Sequence, residues 1–399
     1  MGKHAHLVMV TAVNNNKYYD MTEVGDTIEV KYGRIGASES HASYPMSKWD
    51  SLYNSKVKKG YKDETSIAAV TQVIKNNEEY KPIENEDISN VVEYLREQAR
   101  ETVRKNYTVG SDQVTQEMVD QAQDKLNYIL RSGSQLSVRA FNDELLELFH
   151  IIPRRMGQVQ NYLAGGKDDF DKIIDREQKL LDVMAGQVVA KVTTINEGES
   201  NQKDQTILEA MGLEFSPIDA KDEVIIKREL GECANLFYKA WRVENKETRK
   251  KFQGFLKGKG RFTKKLFWHG SRTENWWNIL RTGLVLRPTN VVINGKMFGY
   301  GLYFAPKARK SVGYTSLRGS YWAGGYSNYG FLALCEVAYG KPYDVYDAQQ
   351  GMTWDKLQKV APGCTSLHAH AGRSLRNDEV IVYREDQVTI KYLVELKAR

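Results

Sequence analysis

The sequence is poor in cysteine. Only Cys233, Cys335 and Cys364 occur in 399 residues, far apart from one another. No C-x-x-C pair exists, so neither a zinc finger nor a dithiol redox motif is expected, and no metal centre is called for. Reduced thiols in a reducing compartment fit this usage. Proline is scarce too, with 8 residues, and a 41% hydrophobic, 27% charged composition is that of a folded globular chain. No apolar run approaches the ~18–20 residues that a membrane-spanning helix needs. The opening MGKHAHLVMVTAV passes into polar NNNK after an apolar stretch too short for a signal peptide. An intracellular monomer without membrane contact is expected, nuclear in a eukaryote or cytoplasmic in a bacterium.

Charge of one sign does not dominate: the formal net charge is +6. It is concentrated, however. Lys246, Arg249, Lys250, Lys251, Lys257, Lys259, Arg261, Lys264 and Lys265 crowd one stretch, and Lys48, Lys56, Lys58, Lys59 and Lys62 another. Such clusters are either solvated faces or phosphate contacts.

The length suits two or three domains, and three blocks are legible. The first, 1–78, reads as β-rich. His6 to Val13, Lys17 to Met21 and Thr27 to Tyr32 are strand candidates, the last alternating apolar with polar, with Gly25-Asp26 as a turn. Tyr32-Gly33-Arg34-Ile35-Gly36 is expected to interrupt the third strand, and Met46 to Lys59 to be helical. The second block, 79–200, reads as an all-α bundle without a chemical site of its own. Ile88, Val91, Val92 and Leu95 form one stripe. Phe141, Leu145, Leu148, Phe149 and Ile152 form another, stopped by Pro153. A third helix is expected from Asp168 to Ala190, and the polar stretch Thr193 to Asn201 reads as a linker. The third block, 201–399, is mixed and strand-rich, with Phe331 to Val337, Val380 to Tyr383 and Val388 to Leu396 as strands.

Three pieces of the third block carry chemistry. Trp268-His269-Gly270-Ser271-Arg272 places one titratable ring between aromatics and a glycine. Met297-Phe298-Gly299-Tyr300-Gly301-Leu302-Tyr303-Phe304-Ala305 is followed by Lys310-Ser311-Val312-Gly313-Tyr314. Asn377-Asp378-Glu379-Val380 sets acids before an apolar strand. Singly, each has a bland reading: a satisfied histidine, a glycine turn, a solvated strand end. The Gly299-x-Gly301 pair lacks the third glycine of a dinucleotide fingerprint. Together they describe one pocket. Tyrosine rings can sandwich a flat heteroaromatic, glycines admit close backbone approach to a planar amide, and a carboxylate can stabilise an oxocarbenium-like sugar. A flat aromatic amide joined to a sugar is the nicotinamide riboside half of NAD.

These motifs resemble the catalytic domain of the poly(ADP-ribose) polymerase family, with its His-Tyr-Glu triad: His269 in FWHGSR, Tyr303 in MFGYGLYFA and Glu379 in NDEVIVY. LFHIIPRRMG and KLLDVMAGQVVA resemble parts of the family's autoinhibitory helical domain. The first block resembles a WGR domain, with Tyr32 where the name-giving tryptophan is expected. The resemblance implies an α+β multidomain protein: a small β-rich WGR-like DNA-binding domain (1–78), an all-α helical regulatory domain (79–200) and a mixed α/β ADP-ribosyltransferase domain built on split antiparallel sheets (201–399).

It further implies NAD as substrate and specific roles. His269 would hold ribose hydroxyls. Gly270 and Ser311 would meet the carboxamide, and Tyr314 and Tyr303 would flank the nicotinamide ring. Glu379 would hydrogen-bond the 2′-hydroxyl, stabilise the cationic sugar and polarise an incoming hydroxyl. Lys310 would line the acceptor side, and Ser271 and Asn275 the adenosine side. Val285 stands where many members carry arginine, with Arg287 two positions on as a substitute. Lys31, Arg34 and Lys48 are the candidate DNA contacts. DNA ends and protein acceptors, including the chain itself, are the implied partners. The family's glutamate points to polymer synthesis, although the segment from Pro342 to Arg376 differs from the family pattern. Mono-ADP-ribosyl transfer and a non-catalytic DNA-end-binding scaffold are the alternatives. A hydrolase built on Ser271 lacks the G-x-S-x-G elbow.

Overall fold

The computed structural model of the chain describes residues 2–35, 37–63, 65, 80–110, 114–196, 205–286, 297–299, 301–372 and 375–399. The strands are β1 (His4–Thr11), β2 (Asn15–Val24), β3 (Thr27–Arg34), β4 (Ser40–Pro45), β5 (Lys62–Asp63), β6 (Leu213–Pro217), β7 (Phe237–Asn245), β8 (Lys264–Ser271), β9 (Leu302–Phe304), β10 (Tyr329–Ala338), β11 (Pro342–Val345), β12 (Ser366–Ala369), β13 (Glu379–Val382) and β14 (Val388–Lys397). They fall into two compact units. One comprises Met1–Glu78 with Arg100–Val189, the other Glu79–Ala99 with Ala190–Arg399. The helices Glu86–Asn106 and Phe170–Asn196 each contribute residues to both units.

The first unit holds a five-stranded sheet of order β4-β3-β2-β1-β5. Its period-2 alternation sends Leu7, Tyr19, Met21, Ile28 and Val30 to one buried face, against Trp49 of the helix Trp49–Lys58. Gly25 turns β2 into β3 at φ 61°. The two-glycine segment does not break β3 as expected. Pairing with β2 continues through Tyr18↔Gly33 and Lys17↔Arg34, because a glycine retains its N–H and C=O for the ladder. Ile35 follows outside the strand, and Gly36 lies outside the described residues.

Helices Gln116–Ser132, Val138–Ile151 and the first part of Phe170–Asn196 complete this unit. Thr115 and Ser137 cap the first two by accepting from Met118 N and Ala140 N. Among them lies a buried ion pair, Arg154 with Glu177, at 2% and 3% exposure. The β1–β2 turn reaches the segment that carries Arg154. Asn16 Nδ2 donates to the carbonyls of Arg154 and Met156, both at 3.4 Å, and Val159 N donates to Asn14 Oδ1 at 3.0 Å. The third helix extends past Ala190 to Asn196, so Thr193–Asn196 is helical rather than linker. The rest of that expected linker, from Glu197 to Asn201, lies outside the described residues.

The second unit is built on two sheets. The larger, β6-β7-β14-β10-β8, is antiparallel throughout. Its face buries Trp268, Leu332, Leu334, Tyr392, Val394 and Leu396. The smaller has order β11-β12-β13-β9. It is mixed rather than purely antiparallel, since β11 and β12 run parallel. The helix Trp354–Val360 lies in the connection between them, as a parallel pair requires a crossover. The two sheets meet where Trp268 and Ala305 exchange backbone hydrogen bonds of 3.0 and 2.9 Å. The first half of Glu86–Asn106 docks on β7: Trp241 Nε1 donates to Asp87 Oδ2 at 2.9 Å, and Lys239 pairs with the same carboxylate.

Candidate active site

The junction of the two sheets gathers the three motifs. On β8, Trp268 is fully buried and its Nε1 donates to the Glu229 carbonyl at 3.0 Å, which fixes the strand beneath the site. His269 follows. Its Nδ1 lies 3.0 Å from the Tyr303 carbonyl oxygen. A carbonyl only accepts, so Nδ1 carries the proton and Nε2 carries the lone pair. Burial lowers the imidazole from its ordinary value of 6.5, and the Tyr303 hydrogen bond opposes that shift. The ring is therefore neutral at pH 7, with an acceptor nitrogen for a hydroxyl.

Gly270 is glycine for a steric reason. A Cβ there would stand 2.0 Å from the Ser311 carbonyl oxygen. The helix Ala308–Val312 thus lies directly on β8, and the buried Ser311 hydroxyl donates to the Trp268 carbonyl at 3.1 Å. That leaves the Ser311 oxygen free to accept from an amide. Tyr303 comes from the three-residue strand β9. Its hydroxyl donates to the Gly299 carbonyl at 2.8 Å and accepts from Phe298 N at 3.2 Å, which fixes the ring. Tyr314 follows the helix Ala308–Val312, and Trp322 stacks behind it at 6.2 Å between centroids and 16° between planes.

Glu379 opens β13, opposite Ala369 of β12. Its carboxylate pairs with Lys310 Nζ, and both side chains are largely buried. Lys310 Nζ also lies 3.4 Å from the Asn377 carbonyl. The ion pair fixes the position of the carboxylate. On β8's far end, Asn275 Nδ2 donates to Ser271 Oγ at 3.0 Å and Trp276 Nε1 to the Ser271 carbonyl at 3.2 Å. The two adenosine-side candidates are thus neighbours. Val285 is exposed; Tyr300 and Arg287 lie outside the described residues.

The candidate DNA contacts lie in the first unit. Lys31 and Lys48 are exposed. Arg34 is engaged within the protein: its guanidinium donates to the Asn14 carbonyl and side chain at 2.9 and 2.8 Å and to the Gly157 carbonyl. Lys62 pairs with Glu147 at 2.7 Å, and Lys56 lies over the Tyr19 ring at 3.8 Å. Much of the basic run 246–265 is met by acids that the fold imports. Arg249 and Lys264 both reach Glu336, at 2.8 and 3.0 Å, and Lys246 reaches Glu214 at 3.2 Å. Sequence reasoning missed these partners because they are distant in the chain. It also missed Trp322 and a cluster of Asp344, His368, His370 and Asp378. The His-x-His spacing at a strand end was the one signal available for that cluster.

The junction of the two sheets thus brings together His269, Tyr303, Ser311 and the Lys310–Glu379 pair, which the family resemblance places around NAD. Comparison with known proteins agrees. Residues 230–371 match the poly(ADP-ribose) polymerase catalytic domain. A putative poly [ADP-ribose] polymerase-like protein, 100L, of Invertebrate iridescent virus 6 is 31% identical over 166 residues, covering 41% of this chain and 87% of the relative. The uncharacterized protein 101L of the same virus is 36% identical over 197 residues, 49% of this chain and 82% of the relative. Poly [ADP-ribose] polymerase 2 of Homo sapiens is 33% identical over 158 residues, 33% of this chain and 26% of the human protein. The chain belongs to the poly(ADP-ribose) polymerase family. It is an NAD-dependent ADP-ribosyltransferase, with NAD as substrate and no metal required for the transfer.

Proposed function

We propose that the protein is a DNA-break-stimulated poly(ADP-ribose) polymerase that modifies proteins, itself included, and elongates the chain. The observation that carries this reading is Glu379, held at the head of β13 by Lys310. In each cycle the C1′–nicotinamide bond breaks and its electron pair leaves with nicotinamide. The His269 Nε2 accepts from a ribose hydroxyl and orients the sugar. Gly270 and Ser311 hold the carboxamide, and Tyr303 and Tyr314 hold the ring. The Glu379 carboxylate faces the developing positive charge at C1′, then draws the proton of the attacking hydroxyl as the new C1′–O bond forms. On this reading, Ser271 and Asn275 receive the adenosine half.

The first sheet, with Lys31 and Tyr32 exposed on β3 and Lys48 exposed in the turn Met46–Lys48 after β4, serves as a WGR-like DNA-end reader, and the helices restrain activity until DNA binds. A nuclear or, in a bacterium, cytoplasmic site of action follows. One observation favours the second reading, mono-transfer: only nine residues, His370 to Asp378, separate β12 from β13. Incubation of the purified chain with labelled NAD, with and without nicked DNA, decides on a denaturing gel. A smear that grows with DNA supports polymerase activity. A single sharp band supports mono-transfer, and no label in folded protein leaves a DNA-binding scaffold.

A further inference from the structure

The smaller sheet carries a second cluster of ionisable groups, on the face opposite the Glu379 side chain. Successive strand residues alternate sides. Glu379 pairs with Ala369, so the flanking His368, His370 and Asp378 project from the other face. Asp344 stands beside His368 in the parallel β11–β12 pair. The two imidazoles stack with centroids 4.2 Å apart and planes 15° apart. His370 Nε2 lies 2.7 Å from Asp344 Oδ1, and His368 Nε2 lies 3.2 Å from Asp378 Oδ2. One ligand atom each from Asp344, His368 and His370 falls within 4.8 Å of the others.

We propose that this cluster binds one zinc ion through His368 Nε2, His370 Nε2 and the Asp344 carboxylate. The donor set suits the metal: imidazole nitrogens and carboxylate oxygens bind zinc at ~2.0–2.2 Å in tetrahedral geometry. Bonds of that length place donors ~3.3–3.6 Å apart, so the 2.7 Å hydrogen bond between His370 and Asp344 opens by somewhat over half an ångström to admit the ion. The outer partners are in place as well. A zinc-bound histidine gives its second N–H to a neighbour, which fixes the ring and frees the other nitrogen. Tyr339 Oη, 2.8 Å from His368 Nδ1, is such a neighbour. Asp378, held by a 2.8 Å hydrogen bond from Ala371 N, places its Oδ2 3.8 Å from His370 Nδ1, the ring nitrogen away from the ion, and so stands as an outer partner of that ring.

Hydrogen bonding alone explains each His–Asp pair singly. It does not explain why two rings are held face to face with a carboxylate at each. The ion would join β11 to β12 and to His370 just beyond it. It takes no part in ADP-ribosyl transfer, and the proposal does not rest on polymer synthesis.

The test is equilibrium dialysis of the chelator-treated full chain against Zn2+, with Co2+ as an optical probe and the thermal unfolding transition as a second readout. The wild type is expected to take up one equivalent of zinc, to give the intense visible absorption of tetrahedral Co2+, and to unfold several degrees higher with zinc than without. The double variant His368→Gln/His370→Gln should lose all three effects while its zinc-free unfolding temperature matches the zinc-free wild type. Tyr339→Phe should weaken zinc binding by ~10-fold, as loss of an outer-shell partner does. No uptake by the wild type overturns the proposal. So does uptake unchanged in the double variant, which would place the metal on surface histidines such as His4 and His41. Should the double variant fail to fold, the exposed position Asp344 carries the test: Asp344→Asn must lower zinc affinity, and undiminished affinity refutes the site.

Discussion

At the scale of single residues, the site depends on two features that leave little freedom. Gly270 passes so close to the Ser311 carbonyl that any side chain forces β8 and the helix Ala308–Val312 apart. Gly270→Ala is expected to cost ~1–3 kcal/mol of stability by overpacking. It should slow nicotinamide release by ~100-fold, the scale expected for a displacement of about 1 Å at the reacting groups. Steady-state assay of the folded variant checks this, and wild-type turnover would show that the close approach is not needed. The second feature is the neutral His269. Its folded value lies below 6.5, so between the two values the unfolded chain binds a proton that the folded chain does not. Stability is accordingly expected to fall as pH drops below 6.5, and to be insensitive to this group above it. The acid limb of kcat/KM for NAD should lie below 6.5, and a limb assigned to His269 above that value would contradict the burial argument.

At the scale of elements, the buried Arg154–Glu177 pair joins the segment after Val138–Ile151 to the long helix Phe170–Asn196. Removing one partner leaves an uncompensated buried charge. Glu177→Gln is expected to cost ~3–5 kcal/mol in denaturant unfolding. If the helices restrain the enzyme, the variant should also show raised DNA-independent activity. Stability within ~1 kcal/mol of wild type would show the pair to be dispensable. This pair was not legible in the sequence. Arg154 and Glu177 are 23 residues apart, and each reads alone as a surface charge. The helix Val138–Ile151 was legible, because its stripe of Phe141, Leu145, Leu148 and Phe149 is dense and Pro153 ends it. Gln116–Ser132 was not singled out. Met118, Val119, Ala122, Leu126, Ile129 and Leu130 form its buried face, but they are diluted by glutamine and aspartate. The segments carrying His269, Tyr303 and Glu379 stood out in the sequence because buried apolar strands and close glycines mark them locally. The His368–His370 cluster draws on β11, β12 and the residues that follow β12, and no single segment displays it.

At the scale of the whole molecule, the proposed stimulation by DNA makes an electrostatic prediction. Contacts to phosphates release counterions, so DNA affinity should fall steeply with added salt. Each of Lys31→Ala and Lys48→Ala should weaken binding and reduce the slope of log affinity against log salt by ~1. Titration of nicked DNA at several salt concentrations measures this, and unchanged slopes would remove both lysines from the DNA surface. Arg34 belongs to a different account. Its guanidinium already joins the β1–β2 turn to Gly157, so Arg34→Ala should lower stability as well as any DNA response.

The measurement that bears most directly on the central claim is product length from Glu379→Gln beside wild type, read with labelled NAD on a denaturing gel. Glutamine keeps the shape but removes the charge that Lys310 holds in place. The account predicts polymer from the wild type, and from the variant at most a single short product with NAD affinity largely retained. Polymer of wild-type length from the variant would contradict the role given to Glu379, and with it the reading of the site.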